Sequence, residues 1–210
     1  MNVKIKLCGM FRDEDIDYVN EAMPDYIGFI VMFPKSHRNI DLETALRLKK
    51  RLSPEIKSVA VSVDAPIEKF AEFAQSGAAD MLQLHGSENA EYISNLRKLT
   101  DVPLIKAVKV TEFSDILKAQ ELDVDYLLLD SGTGTGKAFD HSLIDRSRIT
   151  KPFFLAGGLT PENVREAATR VKPYGVDMSS GIETEKLKDR EKILAAVRAV
   201  RNDVISRDSV

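Results

Sequence analysis

Short apolar runs alternate with amphipathic stretches along the whole chain. The runs occupy residues 3–8, 26–30, 58–63, 81–84, 104–108, 126–129, 153–156 and 175–178. They carry little polar alternation, as parallel strands covered on both faces do. Between them, apolar residues recur at the spacing of a helix with one buried stripe. Ile67, Phe70, Ala71 and Ala74 follow Pro66, which suits the first helical position. Val164, Ala167, Ala168 and Val171 follow Thr160 as N-cap and Pro161 as first helical residue. Tyr92, Ile93, Leu96 and Leu99 form a third stripe, and Ile193, Ala196, Val197 and Val200 a fourth. The segment 140–148 reads as the weakest helix, short and thin in apolar residues.

Strict strand–helix alternation predicts a parallel sheet with right-handed crossovers. Eight units across 210 residues average about 26 each, near the lower end for a (β/α)₈ barrel. A doubly wound sheet has a glycine fingerprint after its first strand, and Cys8-Gly9-Met10-Phe11-Arg12 contains no G-x-G-x-x-G. The expected fold is α/β, a single-domain (β/α)₈ TIM barrel over residues 1–201, with 202–210 as a loose polar tail.

Composition narrows the chemistry. The chain is 43% hydrophobic and 30% charged, an ordinary soluble globular balance. Its net charge of −3 creates no field favouring nucleic acid or a membrane, so neither is an expected partner. The single cysteine, Cys8, rules out an intramolecular disulfide framework and a cysteine-cluster metal site. Histidines at 37, 85 and 141 leave little room for a histidine-based one, and no metal is expected. Residues 1–6 lack the apolar segment of a signal peptide. The longest apolar stretch, 26–33, is far short of the ~20 residues a membrane helix needs. With a lone thiol, the expected compartment is the reducing cytoplasm.

Reactive residues collect where the apolar runs stop, the end of a barrel that carries active sites. Cys8-Gly9 follows the first run, His85-Gly86 the fourth and Asp130-Ser131-Gly132 the sixth. Gly157-Gly158 follows the seventh and Ser179-Ser180-Gly181 the eighth. The last two turns read as a phosphate site built on Gly157, Gly158, Ser180 and Gly181. Glycines let the backbone approach an anion, and helices starting at Thr160-Pro161 and near Ser180 would add their positive ends. For any single glycine a plain tight turn is the simpler account; the coincidence of both turns is what favours phosphate.

Cys8 has two readings, buried filler or a base, and Asp130 is either a cap for the following glycine loop or an acid. For proton transfer the thiol must fall from about 8.5 and the carboxyl must rise from about 3.9. Lys6 shares the strand side of Cys8 and either favours the thiolate or packs the barrel. His85 reads equally as a substrate contact and as a rim residue. Arg38 reads as a clamp for a substrate carboxylate or as a surface arginine. The run Gly132-Thr133-Gly134-Thr135-Gly136-Lys137-Ala138 is not a nucleotide loop, because Ala138 stands where Walker A needs a hydroxyl. A mobile loop closing over a substrate fits it better.

Lys6-Leu7-Cys8-Gly9, Ser36-His37-Arg38, Gln83-Leu84-His85-Gly86, Leu128-Leu129-Asp130-Ser131, Leu155-Ala156-Gly157-Gly158-Leu159 and Val176-Asp177-Met178-Ser179-Ser180-Gly181-Ile182-Glu183 together resemble the phosphoribosylanthranilate isomerases of tryptophan biosynthesis. The resemblance runs in order over nearly the whole chain. It implies a barrel that rearranges N-(5-phospho-ribosyl)anthranilate to its 1-deoxy-ribulose 5-phosphate isomer without a cofactor. It implies Cys8 as general base and Asp130 as general acid. It further implies Arg38 on the anthranilate carboxylate, and the last two turns on the phosphate of the small-molecule phosphosugar substrate. A monomer or homodimer is expected. His37 stands where the family has proline, His141 where it has tryptophan, and Glu185-Lys186 where it has Pro-Gly; Ala60-Val61-Ser62 also departs from the usual Gly-Val-Phe. Two other readings remain at this stage. One is an isomerase of an imidazole-carboxamide phosphosugar, which uses two aspartates where this chain has Cys8 and Asp130. The other is a catalytically silent phosphate-metabolite sensor.

Overall fold

The computed structural model of the protein describes residues 3–130 and 144–201. Eight parallel strands are β1 (Lys4–Cys8), β2 (Tyr26–Val31), β3 (Lys57–Ser62), β4 (Met81–Leu84), β5 (Leu104–Lys109), β6 (Tyr126–Asp130), β7 (Phe153–Leu155) and β8 (Gly175–Met178). They pair in chain order, and β8 pairs with β1 to close the ring. A two-residue bridge, Asn39–Ile40, lies beside the end of β2. The predicted TIM barrel is therefore observed.

Strand residues alternate between two cores. In β1, Ile5 and Leu7 join the layer between barrel and helices, whereas Cys8 joins an inner cluster with Val59, Val61, Ile105, Leu128 and Phe154. The start of the barrel is plugged by Tyr26, Tyr126 and Tyr174 around Phe154, with the Tyr26 and Tyr174 hydroxyls 2.7 Å apart. Among the described residues, the inside is thus packed at its lower end and open where the strands finish.

The outer layer comprises α1 (Asp13–Ala22), α2 (Leu42–Arg51), α3 (Ile67–Gln75), α4 (Ala90–Arg97), α5 (Phe113–Gln120), α6 (Val164–Val171) and α7 (Arg190–Arg201). Asp41 and Asn89 cap α2 and α4 by accepting from the amides of Thr44 and Tyr92. Three helix boundaries differ from the sequence expectation. Pro66 is the N-cap of α3 and not its first turn, because its ψ of 127° is extended. Helix α4 ends at Arg97, which leaves Leu99 38% exposed beyond the buried Ile93 and Leu96. Helix α6 starts at Val164, since Thr160 to Asn163 form a separate turn in which the Thr160 amide donates to Asn163 Oδ1 at 2.8 Å. Of the weak segment 140–148, Arg146–Arg148 form one 3₁₀ turn. The loop from Gly132 to Lys137, Asp140, His141 and the tail 202–210 lie outside the described residues. No described helix is long and apolar enough to cross a membrane.

Candidate active site

The carboxyl ends of the strands surround a cavity of ≈ 360 Å³. Its wall includes Cys8, Arg38, His85, Asp130, Gly157, Gly158 and Ser180, seven of the eight residues singled out from the sequence. Gly181, the eighth, stands behind the wall. A Cβ there would fall 2.0 Å from the Leu159 carbonyl oxygen, so only glycine lets the turns after β7 and β8 touch.

Cys8 ends β1 directly opposite Gly28 of β2. Two residues earlier, Lys6 is fully buried and its Nζ lies 2.8 Å from Asp177 Oδ1, its register partner in β8. Burial pushes the Cys8 thiol above its ordinary value, and Asp177 adds to that push. Lys6 and, more weakly, Lys188 oppose it. Burial pushes the Lys6 ammonium down, but Asp177 and Cys8 outweigh it and raise its value above that of an ordinary lysine. A fixed cation therefore stands beneath the thiol, ready to meet a thiolate.

Asp130 ends β6 on the same cavity. Burial, followed by the positive field of Lys6, pushes the His85 ring below its ordinary value and keeps it neutral at pH 7. Gln83 Nε2 sits 2.9 Å from His85 Nδ1, and donation by the amide puts the ring proton on Nε2. The following turn is stiff: Glu88, buried against Lys106 at 2.8 Å, accepts from the amides of both Gly86 and Asp64.

Arg38 is not a surface residue. Its Nε and Nη2 each lie 2.6 Å from a different carboxylate oxygen of Glu183. Its Cδ rests on Gly9, where a Cβ would come within 2.5 Å. Gly157 and Gly158 take φ of 94° and 65°, a double left-handed bend that glycine adopts without strain and that puts no side chain over the cavity. The helix expected near Ser180 is only a 3₁₀ turn, Ser180–Ile182; the next helix begins at Arg190.

Three further charged residues complete the site: Asp177, Glu183 and Lys188. The sequence held one signal for them. A charge inside the apolar run 175–178 and lysines at positions that prove buried both demand a partner, but pairing Lys6 with residue 177 needs the barrel to be closed. Among the described residues, no group of three or more His, Cys, Asp or Glu is arranged to hold a metal.

The profile of the N-(5'phosphoribosyl)anthranilate (PRA) isomerase family matches residues 5–199. The chain belongs to this family. A relative from Thermoanaerobacter sp. (strain X514), an N-(5'-phosphoribosyl)anthranilate isomerase, is 42% identical over 204 residues, covering 95% of this chain and 98% of that protein. Another, from Caldanaerobacter subterraneus subsp. tengcongensis, is 42% identical over 207 residues, covering 96% and 100%. The solved phosphoribosyl anthranilate isomerase of Thermotoga maritima superposes with a TM-score of 0.84 at 35% identity, covering 95% of this chain and 99% of that one. A family structure in complex with reduced 1-(o-carboxyphenylamino)-1-deoxyribulose 5-phosphate superposes with a TM-score of 0.82 at 34% identity, over the same shares. The family's chains include a dimeric form, also from Thermotoga maritima.

Proposed function

We infer that the protein is a phosphoribosylanthranilate isomerase of tryptophan biosynthesis, converting N-(5'-phosphoribosyl)anthranilate to 1-(2-carboxyphenylamino)-1-deoxy-ribulose 5-phosphate. The observation that carries this reading is one cavity lined by a thiol, a carboxyl, an arginine and two glycine-bearing turns. The turns at Gly157-Gly158 and Ser180 take the phosphate, with Gly181 joining them. Arg38 takes the anthranilate carboxylate, which leaves the ribose between Cys8 and Asp130. His85 offers a neutral N–H to the bound substrate.

Asp130 acts as general acid and gives its proton to the ring oxygen. The C1–O bond breaks as the nitrogen lone pair forms C1=N. Cys8 thiolate then takes the proton from C2; that electron pair forms C1=C2, and the C=N pair returns to nitrogen. In the resulting enolamine, loss of the O2 proton and protonation at C1 give the ketone. Buried Lys6 supports the thiolate before this step, and the chemistry needs no redox partner. A base of this kind must stay reduced, which suits the cytoplasm, with the chain acting as a monomer or a homodimer.

Loss of anthranilate fluorescence on adding the substrate tests the activity. Cys8→Ser and Asp130→Asn should each lower kcat by ~10²–10⁴-fold, the usual worth of a positioned acid or base, without changing the thermal midpoint by more than a few degrees. No turnover by the folded wild-type chain sinks the reading. Full activity in both variants leaves the reaction standing and removes this mechanism. Arg38→Lys keeps the charge but loses the fork, and should raise KM at least as clearly as it lowers kcat.

A further inference from the structure

Behind the cavity wall, a small hairpin holds Glu183–Thr184 antiparallel to Leu187–Lys188. Glu183 and Lys188 are direct cross-strand partners, and Lys188 Nζ lies 2.7 Å from Glu183 Oε1. Both side chains are buried, 6% and 0% exposed, and neither belongs to the cavity lining. Lys188 Nζ also donates to the Ser179 carbonyl at 3.0 Å, and its own carbonyl accepts from Arg12 Nη2 at 3.2 Å. The other face of the Glu183 carboxylate is filled by Arg38.

A guanidinium has five N–H donors in a rigid fork. Glu183 takes the Nε–Nη2 edge, so Nη1 and the remaining Nη2 proton form the free edge of Arg38, the residue of this trio that lines the cavity. Two cations around one carboxylate leave a single net positive charge at this wall. The same lysine touches the backbone of Ser179, in the turn that precedes Ser180.

We propose that Glu183 and Lys188 are positioning residues for Arg38, holding its free edge end-on toward the substrate carboxylate at a set distance from the phosphate turn. The proposal rests on the reading of Arg38 as the carboxylate clamp. Arg38 contributes the contact; Glu183 fixes its direction; Lys188 keeps the wall cationic and ties it to Ser179. The alternative geometry, in which Glu183 competes with substrate for Arg38, would need Glu183 in the cavity, and it is buried behind it.

The test is a double-mutant cycle on the intact protein, read as kcat and KM for phosphoribosylanthranilate. Glu183→Gln presents one acceptor to three donors and should raise KM about ten-fold with kcat within about three-fold, as loss of a charged hydrogen bond to a binding residue does. Arg38→Ala should raise KM at least as much. Adding Glu183→Gln to Arg38→Ala should then change nothing further, because the glutamate acts through the arginine. Should Glu183→Gln lose its cooperative thermal transition, Glu183→Asp keeps the carboxylate opposite Lys188 and shortens its reach, and a smaller rise in KM with kcat held is expected. An unchanged KM in the folded variant, or an equal rise in the Arg38→Ala background, overturns the proposal while the clamp reading survives. If Arg38→Ala itself leaves KM unchanged, the clamp reading falls and this proposal with it.

Discussion

Gly28 lies directly across from Cys8, and the Cβ that any other residue would bring falls 2.6 Å from the cysteine Sγ. The backbone angles of Gly28 are ordinary, so its role is space and not conformation. Gly28→Ala should push the thiol off its position, lowering kcat by ~10²-fold, the cost of about 1 Å of misplacement at a reacting group. Overpacking should also cost about 1–3 kcal/mol of stability. Steady-state kinetics and a thermal melt check both, and a kcat within two-fold of wild type would show that the thiol has room to spare.

The Lys6 ammonium is the counter-charge that opposes the burial of Cys8. Lys6→Met removes it and leaves Asp177 unpaired beside the thiol, and both changes raise the Cys8 pKa further. The rate of iodoacetamide alkylation should therefore rise with pH later in the variant than in wild type, with less reaction at pH 8. Superimposed profiles would refute a role for Lys6 in holding the thiolate.

Asp80 joins β3 to α2. Burial raises its pKa, but the Lys49 ammonium and the amide and hydroxyl of Ser58 outweigh burial and set it below the ordinary value. A depressed folded-state value means stability present above the unfolded carboxylate range and lost as pH falls through the folded value. Asp80→Asn should lower the thermal midpoint by about 2–4 °C at pH 7. The gap should close below about pH 4. A gap that does not narrow as pH falls through the carboxylate range would mean that shape, not charge, is what Asp80 supplies.

The hairpin beneath Arg38 turns at Glu185 and Lys186, whose φ of 51° and 66° are both left-handed. A two-residue turn of this kind is best served by Asn-Gly. Glu185→Asn with Lys186→Gly should relieve about 1–2 kcal/mol of backbone strain. That raises the melting midpoint by about 2–6 °C, measurable by calorimetry. Both residues are exposed, so a destabilised double variant would mean that the lysine and glutamate side chains hold the turn by contacts of their own.

The barrel was legible because its evidence is local and repeated. A run such as Leu127–Leu129 is apolar and buried throughout since both faces are covered, and the stripe Val164, Ala167, Ala168, Val171 is buried along its length. Boundaries were less so. Whether Pro66 starts or precedes a helix depends on one ψ, and Leu99 continues the apolar spacing of α4 after the backbone has left the helix.

For the site, the sequence by itself determined which residues end the strands, because strand length and side-chain alternation are properties of single segments. That was enough to bring Cys8, His85, Asp130, Gly157, Gly158 and Ser180 to one cavity. It did not determine what each residue meets. Lys6 finds Asp177 171 positions away, and Arg38 finds Glu183 145 positions away, only because closing the ring puts β8 beside β1 and swings the following hairpin under the loop after β2. Burial and charge pairing are sums over neighbours from distant segments, and these neighbours exist only once the chain has closed. The tertiary structure alone therefore decided that the Arg38 guanidinium is held by Glu183, that Cys8 sits beside a buried lysine, and that Gly28 leaves the thiol its space.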